Sequence, residues 1–142
     1  MDLRTGFQLE DPAVFVPWTV TEAGLRTLLS PHGLRKVTTG YFTISCRSLN
    51  GLNHELGFHF KPRGGDRLDE LEFFRRAYPD EAASFEEFQT HLERTFGPPT
   101  ETHDDGGGFP THQWHLPGAD IIHLVKYRFA PEEHVRIRRS SP

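Results

Sequence analysis

The chain has little of several things, and each shortage excludes something. Its 142 residues include a single cysteine, Cys46, which leaves no intrachain disulfide framework and no cysteine-based zinc site. No stretch approaches the ~18 consecutive apolar residues of a membrane-spanning helix. The opening MDLRTGFQLE lacks the basic, apolar and small-residue layout of a secretory signal, so a cytoplasmic location with no membrane partner is the expectation. Lysine is scarce, since 13 of the 16 basic residues are Arg, and the net charge is −4. That balance argues against nucleic acid as a partner, because such binders usually carry a net basic domain or stripe. The sequence contains no HExxH or HxH pair, no alternating oxygen ligands of an EF-hand and no lysine-bearing phosphate loop. Ser48, Ser84 and Ser140 sit in no nucleophile-elbow context. Neither a cofactor nor an enzymatic activity is expected.

What is present is the material of a single domain spanning residues 1–142, long enough to bury a core without staples. Phe supplies 12 of the 17 aromatic residues, so rings fill much of that core. Charge is unevenly spread. Residues 66–105 hold 12 acidic and 4 basic residues, and residues 123–142 hold 5 basic and 2 acidic residues. The acidic middle would attract a basic partner and steer its approach, although a solvated helix surface has the same composition.

Two nine-residue stretches share one alternating pattern: Leu52–Phe60 (LNHELGFHF) and Ile121–Phe129 (IIHLVKYRF). Aligned, they match Leu52 with Ile121, His54 with His123, Leu56 with Val125, Phe58 with Tyr127 and Phe60 with Phe129. Period-two alternation predicts half-buried strands, because successive side chains point to opposite faces of a sheet. Each stretch follows a helix-like segment and a weaker strand, so the chain reads as two helix–strand–strand units, about 19–60 and 84–129. The fold expected is α+β: an antiparallel sheet of five to six strands with about three helices largely on one face.

Within that frame, Thr19 or Thr21 caps a first helix running to about Pro31, with Leu25, Leu28 and Leu29 as its apolar stripe and Gly33 as its stop. A hairpin follows around Asn50-Gly51. A two-residue loop sets Thr43 opposite Phe58; a three-residue loop, Leu49-Asn50-Gly51, sets Phe42 opposite Phe58, Ile44 opposite Leu56 and Cys46 opposite His54. The second register gathers the apolar groups on one face, and burial selects it. Leu68, Leu71, Phe74 and Tyr78 suggest a connecting helix over about 66–78. Ser84-x-x-Glu87 is a capping box, and Phe85, Phe88, Leu92 and Phe96 form a helical stripe that Gly97-Pro98-Pro99 ends. Residues 98–110 read as a loop. A last meander is expected over Thr111–Leu116, Ile121–Phe129 and His134–Arg139, with Trp114 opposite Ile121 and His112 opposite His123.

Nine histidines require metal binding to be weighed. The best local set is His112 and His123 with His115 or His54, but zinc needs three or four converging ligands. His112 and His115 are three apart and leave a regular strand on opposite faces. Cys46 opposite His54 resembles a thiolate–imidazole dyad, yet a mid-strand cysteine on an apolar face is ordinarily a small hydrophobe. A small His-rich metal- or ligand-binding enzyme and a dimeric secretion-chaperone-like adaptor stay open as alternatives, and the oligomeric state is open too.

The helix FEEFQTHLERTFGPP, the Trp-bearing strand THQWHLPG and the strand IIHLVKYRF, all within residues 84–129, resemble the small bacterial immunity proteins of polymorphic toxin systems. The resemblance implies a non-catalytic protein that binds and neutralises one cognate toxin. Exposed carboxylates would speed association with a basic protein partner. Glu86, Glu87, Glu93, Asp104 and Asp105 are the candidate contacts, with Asp69 and Glu70 behind them.

Overall fold

The computed structural model describes residues 1–61, 67–77, 80–104, 108–127 and 130–140. Two short strands, β1 (Gly6–Gln8) and β2 (Phe15–Pro17), form a ribbon before helix α1 (Glu22–Leu29) and a single 3-10 turn at Ser30–His32. A meander follows: β3 (Arg35–Thr38), β4 (Tyr41–Ser48), β5 (Leu52–Lys61) and β6 (Arg67–Phe74). Helix α2 (Glu81–Phe96) then leads into a second meander of β7 (Glu101–His103), β8 (Thr111–Leu116), β9 (Ala119–Tyr127) and β10 (Pro131–Arg139). The two meanders join into one antiparallel eight-stranded sheet in the order β3-β4-β5-β6-β10-β9-β8-β7. Each repeat is therefore one helix followed by four strands, and the two repeats meet through their last strands.

This overturns the expected α+β proportions of five to six strands under three helices. Among the described residues the sheet has eight strands, and only two α-helices, of 8 and 16 residues, accompany it. The largest correction is the expected helix over 66–78. Arg67–Phe74 is a strand, with Leu71 and Phe73 buried and Glu70 and Glu72 on the other face. Its apolar residues fit both periods over so short a run. Pairing with β5 on one side and β10 on the other decides between them. Asp66, Tyr78 and the loop Pro62–Gly65 lie outside the described residues. Arg35–Thr38 and Glu101–His103 also pair as edge strands, although neither has a buried residue to announce it.

The hairpin register follows the burial argument. Phe42 faces Phe58, Ile44 faces Leu56 and Cys46 faces His54, with Leu49, Asn50 and Gly51 in the loop at positive φ. Trp114 faces Ile121 and His112 faces His123. Tyr127, the match of the buried Phe58 in the repeated pattern, is 55% exposed, and Phe129 lies outside the described residues. Thr21 rather than Thr19 caps α1, accepting from the Gly24 amide. Asp80 caps α2 one turn earlier than Ser84 would, accepting from the Ala82 and Ala83 amides. Gly97 ends that helix as expected.

One continuous core joins the layers. Leu25 and Leu29 of α1 and Phe88 and Leu92 of α2 pack with Phe42, Ile44, Leu56, Phe58, Leu71, Phe73, Trp114, Ile121, Val135 and Ile137 of the sheet. The N-terminal segment adds Leu3, Phe7, Leu9, Val16 and Trp18, whose indole donates to the Leu3 carbonyl at 2.7 Å. Burying each such side chain contributes about 1.5–3 kcal/mol. Both helices therefore lie on one face of the sheet, and the other face carries its polar rows.

Candidate functional site

Helix α2 carries the first of three polar constellations. Its inner stripe of Phe85, Phe88 and Leu92 is buried, while Glu86, Glu87 and Glu93 face solvent. Polar residues on the buried side lock its position. The Ser84 hydroxyl donates to Glu133 Oε1 at 2.6 Å, and Glu133 Oε2 lies 2.5 Å from His123 Nε2. On the other side of the ring, His123 Nδ1 donates to Gln89 Oε1 at 2.8 Å. The Gln89 amide nitrogen is committed to Glu93 at 3.0 Å, which fixes that orientation. Phe85 stacks on the imidazole with centroids 4.0 Å apart. Arg75 donates to Ser84 at 3.0 Å, pairs with Glu87 and lies over the Phe88 ring. Burial pulls His123 below the ordinary imidazole value, and the Glu133 contact opposes that pull.

The equivalent histidine of the first repeat sits differently. His54 Nδ1 donates to the Glu55 carbonyl at 3.0 Å, so Nε2 is the acceptor for the Ser48 hydroxyl at 2.5 Å. Burial lowers His54 to about 4, so the ring is neutral near pH 7. Cys46 Sγ lies 4.0 Å from the same Nε2. Its thiol is pushed up to about 12 by burial and then by the nearby Glu55, Asp11 and Glu10 carboxylates. Cys46 and His54 border a cleft of about 550 Å³ that Arg47, Arg76 and Glu55 also line. A protonated thiol and a fully buried serine hydroxyl are poor nucleophiles. The arrangement is a satisfied buried polar pair at the edge of a cleft.

The opposite face of the sheet carries a third network. Glu72 accepts from Tyr41 at 2.9 Å, lies 3.3 Å from His59 and accepts from Arg136 at 3.2 Å. These partners, His59 first, hold its carboxyl down at about 2. Glu70 lies beneath Arg136 and Arg138, at 2.9 and 3.1 Å. Tyr41 reaches Glu72 across Gly57, where an added Cβ would meet the tyrosine ring at 2.7 Å. Every sign of charge in this network has its counter-charge within it.

The expected contact residues divide accordingly. Glu86, Glu87 and Glu93 share the solvent side of α2, with Glu87 engaged by Arg75, and Asp104 is exposed after β7. Asp105 lies outside the described residues. Asp69 is half-buried, and Glu70 is occupied by two arginines and buried. The histidines do not converge. His112 and His123 share the inner face with ring centroids 6.5 Å apart. His54 belongs to the first repeat and packs on Phe73 and Phe88. His115 leaves β8 on the other face between Asp120 and Glu101, whose hydrogen bonds raise its pKa. Among the described residues no group of three or more His, Cys, Asp or Glu side chains is placed to hold a metal ion.

Sequence reasoning missed Glu133, Gln89 and Ser48. Glu133 had a readable signal, because it alternates with the inward Val135 and Ile137 and so had to point into the core. Ser48 continues the inward row of Phe42, Ile44 and Cys46 in the same way. Gln89 had none, since its place one residue beyond Phe88 is shared by many helix-flank residues.

No family model matches the chain, and no curated protein matches it. A solved structure of a DUF4309 family protein, YjgB from Bacillus subtilis, is similar over 84% of this chain and 78% of its own length. Its identity is 9% and its TM-score 0.44. No helix among the described residues is long and apolar enough to cross a membrane.

Proposed function

We propose that this chain is a non-catalytic binding protein of the immunity type, which neutralises a cognate bacterial toxin through the acidic outer side of α2. The observation that carries the reading is the pairing of an acidic exposed face with a rigidly held helix. Glu86 and Glu93 are two turns apart on one side of α2 and exposed. The same helix is tied to the sheet by Ser84, Gln89 and its buried phenylalanines, and to the hairpin turn by His91, which bonds the Leu49 carbonyl at 2.8 Å. Charges on a fixed element complement a basic surface without an ordering cost at binding. The other chemistry-bearing groups, Ser48, His54, Cys46, His123 and Glu133, are buried and mutually satisfied, and so better suited to holding the scaffold.

The test is affinity capture from lysate of the source organism with the parent chain and with the double variant E86K/E93K, read by mass spectrometry. One large multidomain protein should be enriched by the parent and lost with the variant. The variant should also slow association in stopped flow by at least tenfold at low salt, and less at high salt. Equal capture and equal association rates would sink the electrostatic reading.

A further inference from the structure

The row His112–His123–Glu133 crosses three adjacent strands, β8, β9 and β10, directly beneath the first turns of α2. His112 and His123 are cross-strand partners, and Phe85 of α2 covers both, with centroids 6.1 and 4.0 Å away. The 2.5 Å approach of His123 Nε2 to Glu133 Oε2 requires one proton between them, because facing lone pairs at that distance repel. With that single proton the row is neutral. We propose that this row is a proton-operated clasp for α2, which acidification opens by adding protons for which the row has no second carboxylate.

The surrounding groups determine the direction. From α2, Ser84 and Gln89 hold the two ends of the pair, and Glu93 is the carboxylate that acts on His112. Glu81, at the start of the same helix, has a buried Oε1 with no hydrogen-bond partner. Burial and then Glu133 raise its pKa, so falling pH neutralises it early and removes a charge that would offset an imidazolium. Arg75, from the segment after β6, adds a positive charge at Ser84. His54 of β5, its ring centroid 6.4 Å from that of Phe88, belongs to the hairpin. His112 resists protonation through burial and then through His123. A second and third proton therefore place like charges under Phe85 in a low-dielectric site, and the accessible relief is for α2 to lift and admit water.

The test uses the intact chain and amide hydrogen exchange, corrected for the intrinsic pH dependence, at pH 7 and pH 5. Amides of residues 84–96 should lose at least tenfold of their protection and become less protected than those of the β4–β5 hairpin. Because His112 is only half-buried, H112Q should fold, and it should cut the α2 loss at least threefold. Equal protection of helix and hairpin at pH 5 would show one cooperative unit and overturn the clasp. So would an H112Q variant whose α2 loss matches the parent. The experiment needs no toxin, so its outcome is independent of the proposed binding partner.

Discussion

The hydrogen bond between Ser48 and His54 shows how much a single buried pair constrains. The Glu55 backbone carbonyl accepts the hydrogen bond from Nδ1–H, so Nε2 has one suitable donor, the Ser48 hydroxyl 2.5 Å away. Both residues are buried, His54 against Phe73. Ser48→Ala removes the donor and leaves a dehydrated imidazole nitrogen unpaired, with the Cys46 thiol at 4.0 Å too distant to replace it. The expected loss is about 1–3 kcal/mol in urea unfolding, against about 0.5 kcal/mol or less for Glu86→Ala on the exposed side of α2. A Ser48→Ala protein as stable as Glu86→Ala would mean that water reaches Nε2 and that the pair contributes little.

At the scale of elements, β6 is where sequence and structure part. Both periods fit LDELEFF, and only the neighbouring strands choose. The hairpin β4–β5 was legible because one register alone gathers Phe42, Ile44, Phe58 and Leu56 on one face. Strands β3 and β7 were illegible because their side chains are all exposed, which removes the alternation that a reader looks for. The candidate contacts on α2 were legible from its stripe, but Glu133 and Gln89 emerge only when α2 is laid over β9 and β10. The position of β6 also yields a prediction. Its Glu72 is held at about 2 by His59, Tyr41 and Arg136, below the unfolded carboxylate value. A depressed carboxylate stabilises the fold above its unfolded pKa and loses that contribution as pH falls through the folded one. Glu72→Gln should therefore cost about 1–2 kcal/mol above pH 5, allowing for partial exposure, and the gap to the parent should close toward pH 2. A gap that is constant with pH would assign the loss to packing instead.

For the whole molecule, the matched strands of the two repeats explain why stability should depend on histidine protonation well above the carboxylate range. The repeat places His54 and His123 at equivalent positions inside one core, with His112 beside the latter, and burial lowers all three. A histidine whose folded pKa is lowered takes up its proton first in the unfolded chain. Stability is then full above the unfolded value of about 6.5 and declines as pH falls toward the folded value. His54, lowered to about 4, would alone account for up to about 3 kcal/mol across that interval. Depressed carboxylates such as Glu72 keep their full contribution down to about 4.5 and lose it only below. The interval from pH 6.5 to 4.5 therefore reports on the buried histidines, against an opposing contribution from Glu81 and His115, whose pKa values the fold raises. Urea unfolding across it should show a midpoint that falls steadily with pH. At pH 6.5 the slope in denaturant should be that of the one unit which the shared core of the N-terminal segment, both helices and the sheet implies. A midpoint flat between pH 6.5 and 4.5 in a Glu81→Gln, His115→Gln background would show that these histidines bind their protons equally in both states, and so that they are not held neutral by the fold.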